Sequence, residues 1–377
     1  MDALMLPSNW QRVRLGDILT LKHGRDYKNF KLGNIPVYGS GGYMLSINNF
    51  LHNGESVCIG RKGTIDKPIY LNGKFWVVDT LFYSYSFKKS IPKFIFYAFS
   101  IIKWSNYNEA TGVPSLTKMT ISNIEIPLPP LNEQIAIANI LSGLDRYLYN
   151  LDALILKKES VKKALSFELL SQRKRLRGFN QNWQRVRLGT YKYRRGSFPQ
   201  PYGNPQWYSD NGMPFVQVYD VGENFKLTQK TKQKISKIAQ PMSVFVPKNS
   251  VIITLQGTIG RVALTQYDCY CDRTILIFDN NTLNDVNKYF FVLSLFTKFE
   301  EEKRKADGSI IKTITKQTLK DFEIPLPPLN EQIAIANILS TLDSEIISLK
   351  NKKRQFENIK KALNHDLMSA KIRVLKK

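Results

Sequence analysis

The sequence is poor in the residues that do chemistry. Three histidines (His23, His52, His365) are scattered over 377 residues, and three cysteines (Cys58, Cys269, Cys271) show no framework spacing. An odd cysteine count without pairing distances argues against a disulfide scaffold and for reduced, buried thiols in a cytoplasmic protein. No His/Cys spacing suits zinc, so no metal site is expected. There is no Gly-x-x-x-x-Gly-Lys-Ser/Thr loop, no Gly-x-Gly-x-x-Gly after a strand and no Gly-x-Ser-x-Gly elbow, which removes the usual signatures of bound nucleotide and nucleophilic hydrolysis. The Asn/Asp-Pro-Pro-aromatic signature of amino-methyltransferases is missing too. Apolar runs such as 94–102 and 289–296 are too short to span a membrane. The opening "MDALMLPSNWQ" lacks the basic and apolar blocks of a secretory signal.

Negative charge is also scarce. Thirty-one Asp and Glu stand against 55 Lys and Arg, giving +24 at pH 7. Such an excess suits a polyanion, DNA or RNA ahead of an anionic membrane surface. A lysine-rich proteome with no functional meaning is the bland alternative. The hydrophobic content of 43% with 12% aromatics is that of a folded chain of more than one domain.

What is abundant is self-similarity, the first thing to seek in a chain of this length. "EIPLPPLNEQIAIANILSGLD" at 125–145 returns as "EIPLPPLNEQIAIANILSTLD" at 323–343, with Gly143 against Thr341 as the one difference. "NWQRVRLG" occurs at 9–16 and again at 182–189. Between these anchors, "GTI" recurs at 63–65 and 257–259, and "TK" precedes each proline segment at 117–118 and 315–316. The chain reads as variable region, shared segment, variable region, shared segment.

Each shared segment predicts a long helix. "PLPPLN" cannot enter one, and Asn132 or Asn330 followed by Glu133 or Glu331 predicts an N-cap with an acidic first turn. Leu141, Leu144, Leu148, Leu151 and Ile155 then step by threes and fours, followed by Leu165 and Leu169; Leu339, Leu342, Ile346, Leu349, Phe356, Leu363 and Leu367 repeat the seam. Lysines at 158, 162, 353 and 360 interrupt it. "SQRKRLRG" predicts a basic last turn of the first helix with Gly178 just past its end. Two matched seams predict an antiparallel coiled coil and a pseudo-two-fold internal repeat, with the identical segments free to receive two copies of one partner. The variable regions mix strand signals ("SVCIG", "FWVVD", "YSYSF"; "SVFVP", "SVIITLQG", "RTILIF") with Gly/Asn/Pro turns and one apolar helix each, predicting an α/β fold.

The variable regions carry basic, glycine-bearing loops with interleaved aromatics. Arg, Lys, Gln, Ser and Thr can read base edges or hold phosphates, while glycine lets backbone approach. In the first region the candidates are Lys22, Arg25 and Lys28, then Arg61, Lys62 and Thr64, then Ser115 and Lys118. In the second they are Arg194, Arg195 and Gln206, then Gln256, Thr258 and Arg261, then Lys312 and Lys316. The bland reading of each loop alone is a solvated turn. "FEEEKRK" at 299–305 reads as a solvated helix face, with a nuclease-like Glu-x-Lys the sharper alternative.

The paired "IPLPPLNEQIAIANILS" segments ahead of long helices, "WQRVRLG" opening each half, "IGRKGTIDKPIY…FWVVDTLFY" and "VQVYD…QGTIGRVALTQYD" together resemble the specificity subunits of type I restriction–modification systems, along the whole chain. The resemblance implies a non-catalytic DNA-binding subunit: target-recognition domains at 1–130 and 178–328, with antiparallel spacer helices at 131–177 and 329–377. Each domain would read half of a bipartite double-stranded target. Two methyltransferase subunits would dock on the helices, here assigned to Asn132, Gln134 and Asn139 and to Asn330, Gln332 and Asn337, and restriction subunits can join. It implies no cofactor in this chain, with S-adenosylmethionine, ATP and Mg on the partners. A coiled-coil scaffold that binds no DNA and a fragment of a self-sufficient methyltransferase are the competing readings.

Overall fold

The computed structural model describes residues 6–222, 224–256, 260–305 and 316–374. The chain forms two compact units, Met1–Leu154 with Leu349–Lys377, and Ile155–Ser348. Each unit therefore contains one variable region and one half of each of two 40-residue helices, Leu131–Leu170 and Leu329–Met368.

In the first unit, the two repeated motifs turn out to be partner strands. Gln11–Arg14 pairs antiparallel with Glu125–Leu128, Gln11 opposite Leu128 and Arg14 opposite Glu125. Between them the chain makes two four-stranded sheets. Thr20–His23, Leu81–Tyr85, Ser56–Gly60 and Ile69–Leu71 lie side by side in one; Gly42–Ile47, Leu32–Gly39, Lys74–Val77 and His52–Asn53 form the other. All five residues of Ser56–Gly60 are buried, because both its faces are covered. Val57 and Ile59 join the cluster under helix Pro92–Ile101, while Cys58 faces the second sheet with Phe75 and Val77. That helix starts with proline at its first position and buries Phe94, Ile95, Tyr97, Ala98 and Phe99. Each large apolar side chain so buried contributes about 1.5–3 kcal/mol.

The second unit is built in the same way. Gln184–Arg187 pairs with Glu323–Leu326 in the same register, Gln184 opposite Leu326 and Arg187 opposite Glu323. One sheet orders Tyr193–Arg195, Ile275–Phe278, Val251–Thr254 and Val262–Leu264; the other orders Gln233–Ile235, Tyr208–Val216, Cys269–Cys271 and Val244–Val246. The strands expected from "SVCIG", "FWVVD", "SVIITLQG" and "RTILIF" are present. The hairpin Leu32–Gly39/Gly42–Ile47 and the strand Tyr208–Val216 carry too much Gly, Asn and Tyr to stand out as apolar runs. "FEEEKRK" continues helix Lys288–Lys305 and is only partly the solvated face expected. Phe299 is buried in the core, while Glu301, Lys303 and Arg304 are exposed, and Lys298–Glu302 and Lys303–Glu300 pairs run along the helix.

The long helices run antiparallel within each unit. In the first, Lys360 pairs with Asp145 and Lys353 with Asp152 at 2.7 Å, so an advance on one helix matches a retreat on the other. In the second, Lys158 meets Glu345 at 2.5 Å and Lys162 meets Asp343. The four lysines that interrupt the seam are thus the ionic partners across it.

The long helices begin at the expected residues, but their caps and their C-terminal ends differ from expectation. The helices open at Leu131 and Leu329, one residue before the asparagines. The Pro130 carbonyl accepts from the N–H groups of Glu133 and Gln134, both at 3.0 Å, and Pro328 does the same for Glu331 and Gln332 at 3.0 and 3.1 Å. Asn132 and Asn330 instead accept from the next residue's N–H at 2.9 Å. The first helix stops at Leu170, so "SQRKRLRG" lies beyond it and Gly178, at φ +91°, belongs to a later turn. The chain leaves the helices through left-handed Gln172 and Ala370 instead.

Candidate nucleic-acid interface and docking face

In the first unit, four loops meet around the turn at 77–81. Gly24 donates its N–H to the Leu81 carbonyl at 3.0 Å and Arg25 to Val77 at 2.9 Å. A Cβ on Gly24 would sit 2.0 Å from the Val78 carbonyl oxygen, so this crossing requires glycine. Ser40, from the tip of "YGSGGY", donates its N–H to Thr80 Oγ1 at 3.3 Å. Arg61 donates its N–H to the Thr80 carbonyl at 2.8 Å and Nη1 to Asp79 O at 3.3 Å. Lys62 bridges to Ser115, Gly63 N–H reaches Pro114 O at 2.9 Å, and Leu116 N–H reaches Arg61 O at 2.9 Å.

Arg25, Arg61, Lys62, Thr64, Ser115 and Lys118 are therefore gathered at one end of the sheets, on loops separated by up to 93 residues in sequence. Among the described residues none of the five Arg and Lys positions 25, 28, 61, 62 and 118 has a carboxylate partner. Lys28 is exposed on the loop at 25–31, whose Tyr27 and Phe30 pack around Trp76. Lys22 goes elsewhere. Strand alternation points it at the opposite sheet face, with Nζ 4.4 Å from the Tyr85 ring centre. There, after burial, it helps hold His52 below the usual imidazole range. Its neighbour His23 was missed. His23 faces the gathered cations, and burial followed by Arg61 and Lys118 holds it below the ordinary range.

The second unit places the corresponding loops by the same bonds. Gly196 N–H reaches Ile275 O at 2.9 Å, and a Cβ there would meet the Asp272 and Cys271 carbonyl oxygens at 2.3 Å. Leu255 N–H reaches Thr274 O at 2.9 Å, the bond that Arg61 makes in the first unit. Arg261 is therefore not the counterpart of Arg61; that position is the buried Leu255. Arg261 lies on the far side of the loop, donates Nη1 to Val221 O at 3.2 Å, and is half-buried.

Arg195 is exposed beside Gly196, and Gln256 is exposed ahead of the second "GTI". Arg194, the counterpart of Lys22, turns to the second sheet and donates Nη2 to Phe245 O at 3.0 Å. Gln206 sits in the turn Pro205–Trp207 beside the aromatic cluster of Phe198, Trp207 and Tyr208. Thr258, Lys312 and the Lys316 side chain lie outside the described residues. Arg273 was missed; it is exposed in the turn corresponding to Asp79, 5.3 Å from the Tyr202 ring centre. Its "CDRT" context reads as strand continuation in sequence.

The shared segment has two faces. Inward, Glu133 is buried at the start of the first helix and accepts from Trp10 Nε1 at 3.0 Å and from Arg373 at 2.7 and 2.9 Å. Glu331 repeats this with Trp183 at 3.0 Å and Arg175 at 3.1 and 2.6 Å. The repeated tryptophan, the repeated glutamate and an arginine just past the other helix thus close each unit. Asp145 accepts from Tyr97 Oη at 2.6 Å as well as Lys360; Asp343 holds Tyr289 and Lys162.

Gln134 and Gln332 also face inward, which corrects their assignment to docking. Gln134 is fully buried, donates Nε2 to Lys89 O and Pro129 O at 2.9 and 2.8 Å, and accepts from Ile91 N–H at 3.0 Å. Gln332 donates to Pro327 O at 2.8 Å and accepts from Asn287 N–H at 2.9 Å. Outward, Leu131, Ile135 and Asn139 form a stripe of helical spacing, matched by Leu329, Ile333 and Asn337, with the four apolar members 41–49% exposed. Asn132 and Asn330 are exposed beside it. The apolar members were given no role from the sequence; identity at outward positions was the available signal.

Among the described residues no cluster of His, Cys, Asp and Glu could hold a metal, and no helix is long and apolar enough to cross a membrane. The family model for the type I restriction modification DNA specificity domain matches twice, at residues 7–159 and 201–358. The type I restriction enzyme MjaVIII specificity subunit of Methanocaldococcus jannaschii is 25% identical over 99% of this chain and 95% of its own. The putative MjaX specificity subunit of the same organism is 28% identical over 75% of this chain and 68% of its own. Among solved structures, the type I restriction–modification S subunit from M. genitalium superposes with a TM-score of 0.68 at 16% identity, covering 97% of this chain and 98% of that one.

Proposed function

The chain belongs to the type I restriction modification DNA specificity family, and from that premise we propose that it reads a bipartite double-stranded DNA target for a methyltransferase that it carries but does not itself supply. It is the non-catalytic specificity subunit of its complex. Residues 1–130 and 178–328 act as target-recognition domains, one for each half-site. The helical segments at 131–177 and 329–377 set the gap between the halves. The outward stripes at Leu131/Ile135/Asn139 and Leu329/Ile333/Asn337 receive one methyltransferase subunit each. S-adenosylmethionine belongs to those subunits, and ATP and Mg to restriction subunits that can join them in the cytoplasm.

The observation that carries this reading is the convergence, in a family member, of unpaired cations from distant loops at one end of the first unit's sheets. Lysine and arginine there would neutralise phosphates, and arginine reads guanine edges. The test is to express the chain with its methyltransferase subunit in a cell lacking other methylation and to map modified positions across the genome. The expected result is one two-part motif with a fixed unread gap, and no methyl transfer by the purified chain alone. Methylation scattered without a motif, or transfer by the chain alone, would overturn the reading.

A further inference from the structure

One cationic position is built differently in the two units. His23 ends the strand Thr20–His23, opposite Phe82, and packs against it with the rings tilted and their centres 4.8 Å apart. Phe82 in turn lies opposite Ile59, so His23, Phe82 and Ile59 share a sheet face. Arg61 continues that alternation just past the strand's end, and Leu116, bonded to Arg61 O, brings Lys118 to the same corner. In the second unit the residue that ends the equivalent strand, opposite Leu276 and just before the tightly crossed Gly196, is Arg195. One unit carries a permanent cation where the other carries a histidine.

We propose that His23, with Arg61 and Lys118, forms a phosphate-binding point of the first domain, and that its occupation by DNA is accompanied by uptake of a proton on the imidazole. The proposal rests on the reading of this unit as a DNA-recognition domain. In the free protein the groups acting on His23 are its partial burial, Arg61 from the turn after Ser56–Gly60 and Lys118 from the start of helix Lys118–Asn123; all disfavour the charged ring. Phe82, from the third packed element, is uncharged, and Lys22 points to the other sheet face. A phosphate placed among the three neutralises the two fixed cations and favours imidazolium, whose two N–H groups both donate. The proton comes from solvent.

The sign follows from linkage. With the free-state pKa below the usual value and the bound-state pKa raised, affinity rises as pH falls between the two. One linked proton corresponds to at most about tenfold in affinity per pH unit. The test measures binding of the assembled complex to a duplex carrying its mapped motif, from pH 5.5 to 8 at constant salt, for wild type, His23→Gln and His23→Arg. His23→Gln should lose the wild type's extra tightening at low pH, and His23→Arg should bind tightly across the range. If His23→Gln keeps the full wild-type slope while motif-selective binding persists, His23 is not the linked group and the inference fails alone. If the wild-type complex shows no preference for the motif duplex at any pH, the DNA reading fails and takes the inference with it.

Discussion

At the scale of single residues, neighbours in the shared segment divide between inward and outward positions, and sequence identity alone does not say which position each takes. Gln134 satisfies one N–H and two carbonyls of its own domain where water cannot reach. Gln134→Ala should therefore lower unfolding stability by about 1–3 kcal/mol, the cost of leaving buried polar groups unpaired, without a specific effect on partner stoichiometry. Ile135→Asp, one residue on but outward, should leave the melting transition nearly unchanged and reduce bound methyltransferase from two subunits to one. Thermal unfolding and mass measurement of the complex check both. A Gln134→Ala protein of normal stability that bound one subunit would reverse the two assignments. The buried glutamates show the same division: Glu133 and Glu331 look like acidic first-turn residues, yet each holds an arginine and a tryptophan from distant sequence.

At the scale of elements, the repeated motifs make sense as partners. "QRVR" and "EIPL" are repeated together because each pair forms one two-stranded ribbon that leads into a helix. The lysine pairs between the helices define register more than stability. Lys158 and Glu345 are 34% and 46% exposed, a setting in which an ion pair contributes about 0–1 kcal/mol. Replacing both with methionine should lower the unfolding free energy from urea titration by no more than that; a larger loss would show that the pair is essential to helix pairing. The helices, their seam and the strands of the variable regions were legible because apolar periodicity and proline boundaries are local signals. The helix caps lie two residues before the asparagines because the carbonyls of Pro130 and Pro328 accept the first intrahelical bonds, while each asparagine side chain accepts only from the next residue's N–H. Arg61 and Arg261 both adjoin a "GTI" and were both taken as candidates; the hydrogen bonds show that the residue equivalent to Arg61 is Leu255, which only strand register could reveal. His23 and Arg273 escaped because nothing in a local sequence says which strand ends converge.

At the scale of the whole molecule, the proposed function makes the long helices a ruler, and the antiparallel pairing dictates how to shorten it. Removing 161–167 and 359–365, which are equivalent in the internal repeat, takes out segments that do not face each other. The residues opposite Lys162 lie near Asp343, and those opposite Lys360 near Asp145. The segments 148–154 and 351–357 do face each other, joined by the Lys353–Asp152 pair. Deleting both removes one heptad from each helix and leaves the clasps at Glu133 and Glu331 and the Asp145 and Asp343 pairs in place. At 1.5 Å per residue the spacer shortens by roughly 10 Å. DNA rises about 3.4 Å per base pair, so the unread gap in the methylated motif should fall by about three pairs. Three pairs also turn one half-site by roughly 100° around the duplex, given about 10.5 pairs per turn. Methylation should accordingly weaken, while the bases read in each half-site stay the same. Genome-wide mapping with the shortened protein checks this. An unchanged gap would show that the helices do not measure it, and altered half-site bases would show that specificity does not reside in the two variable regions.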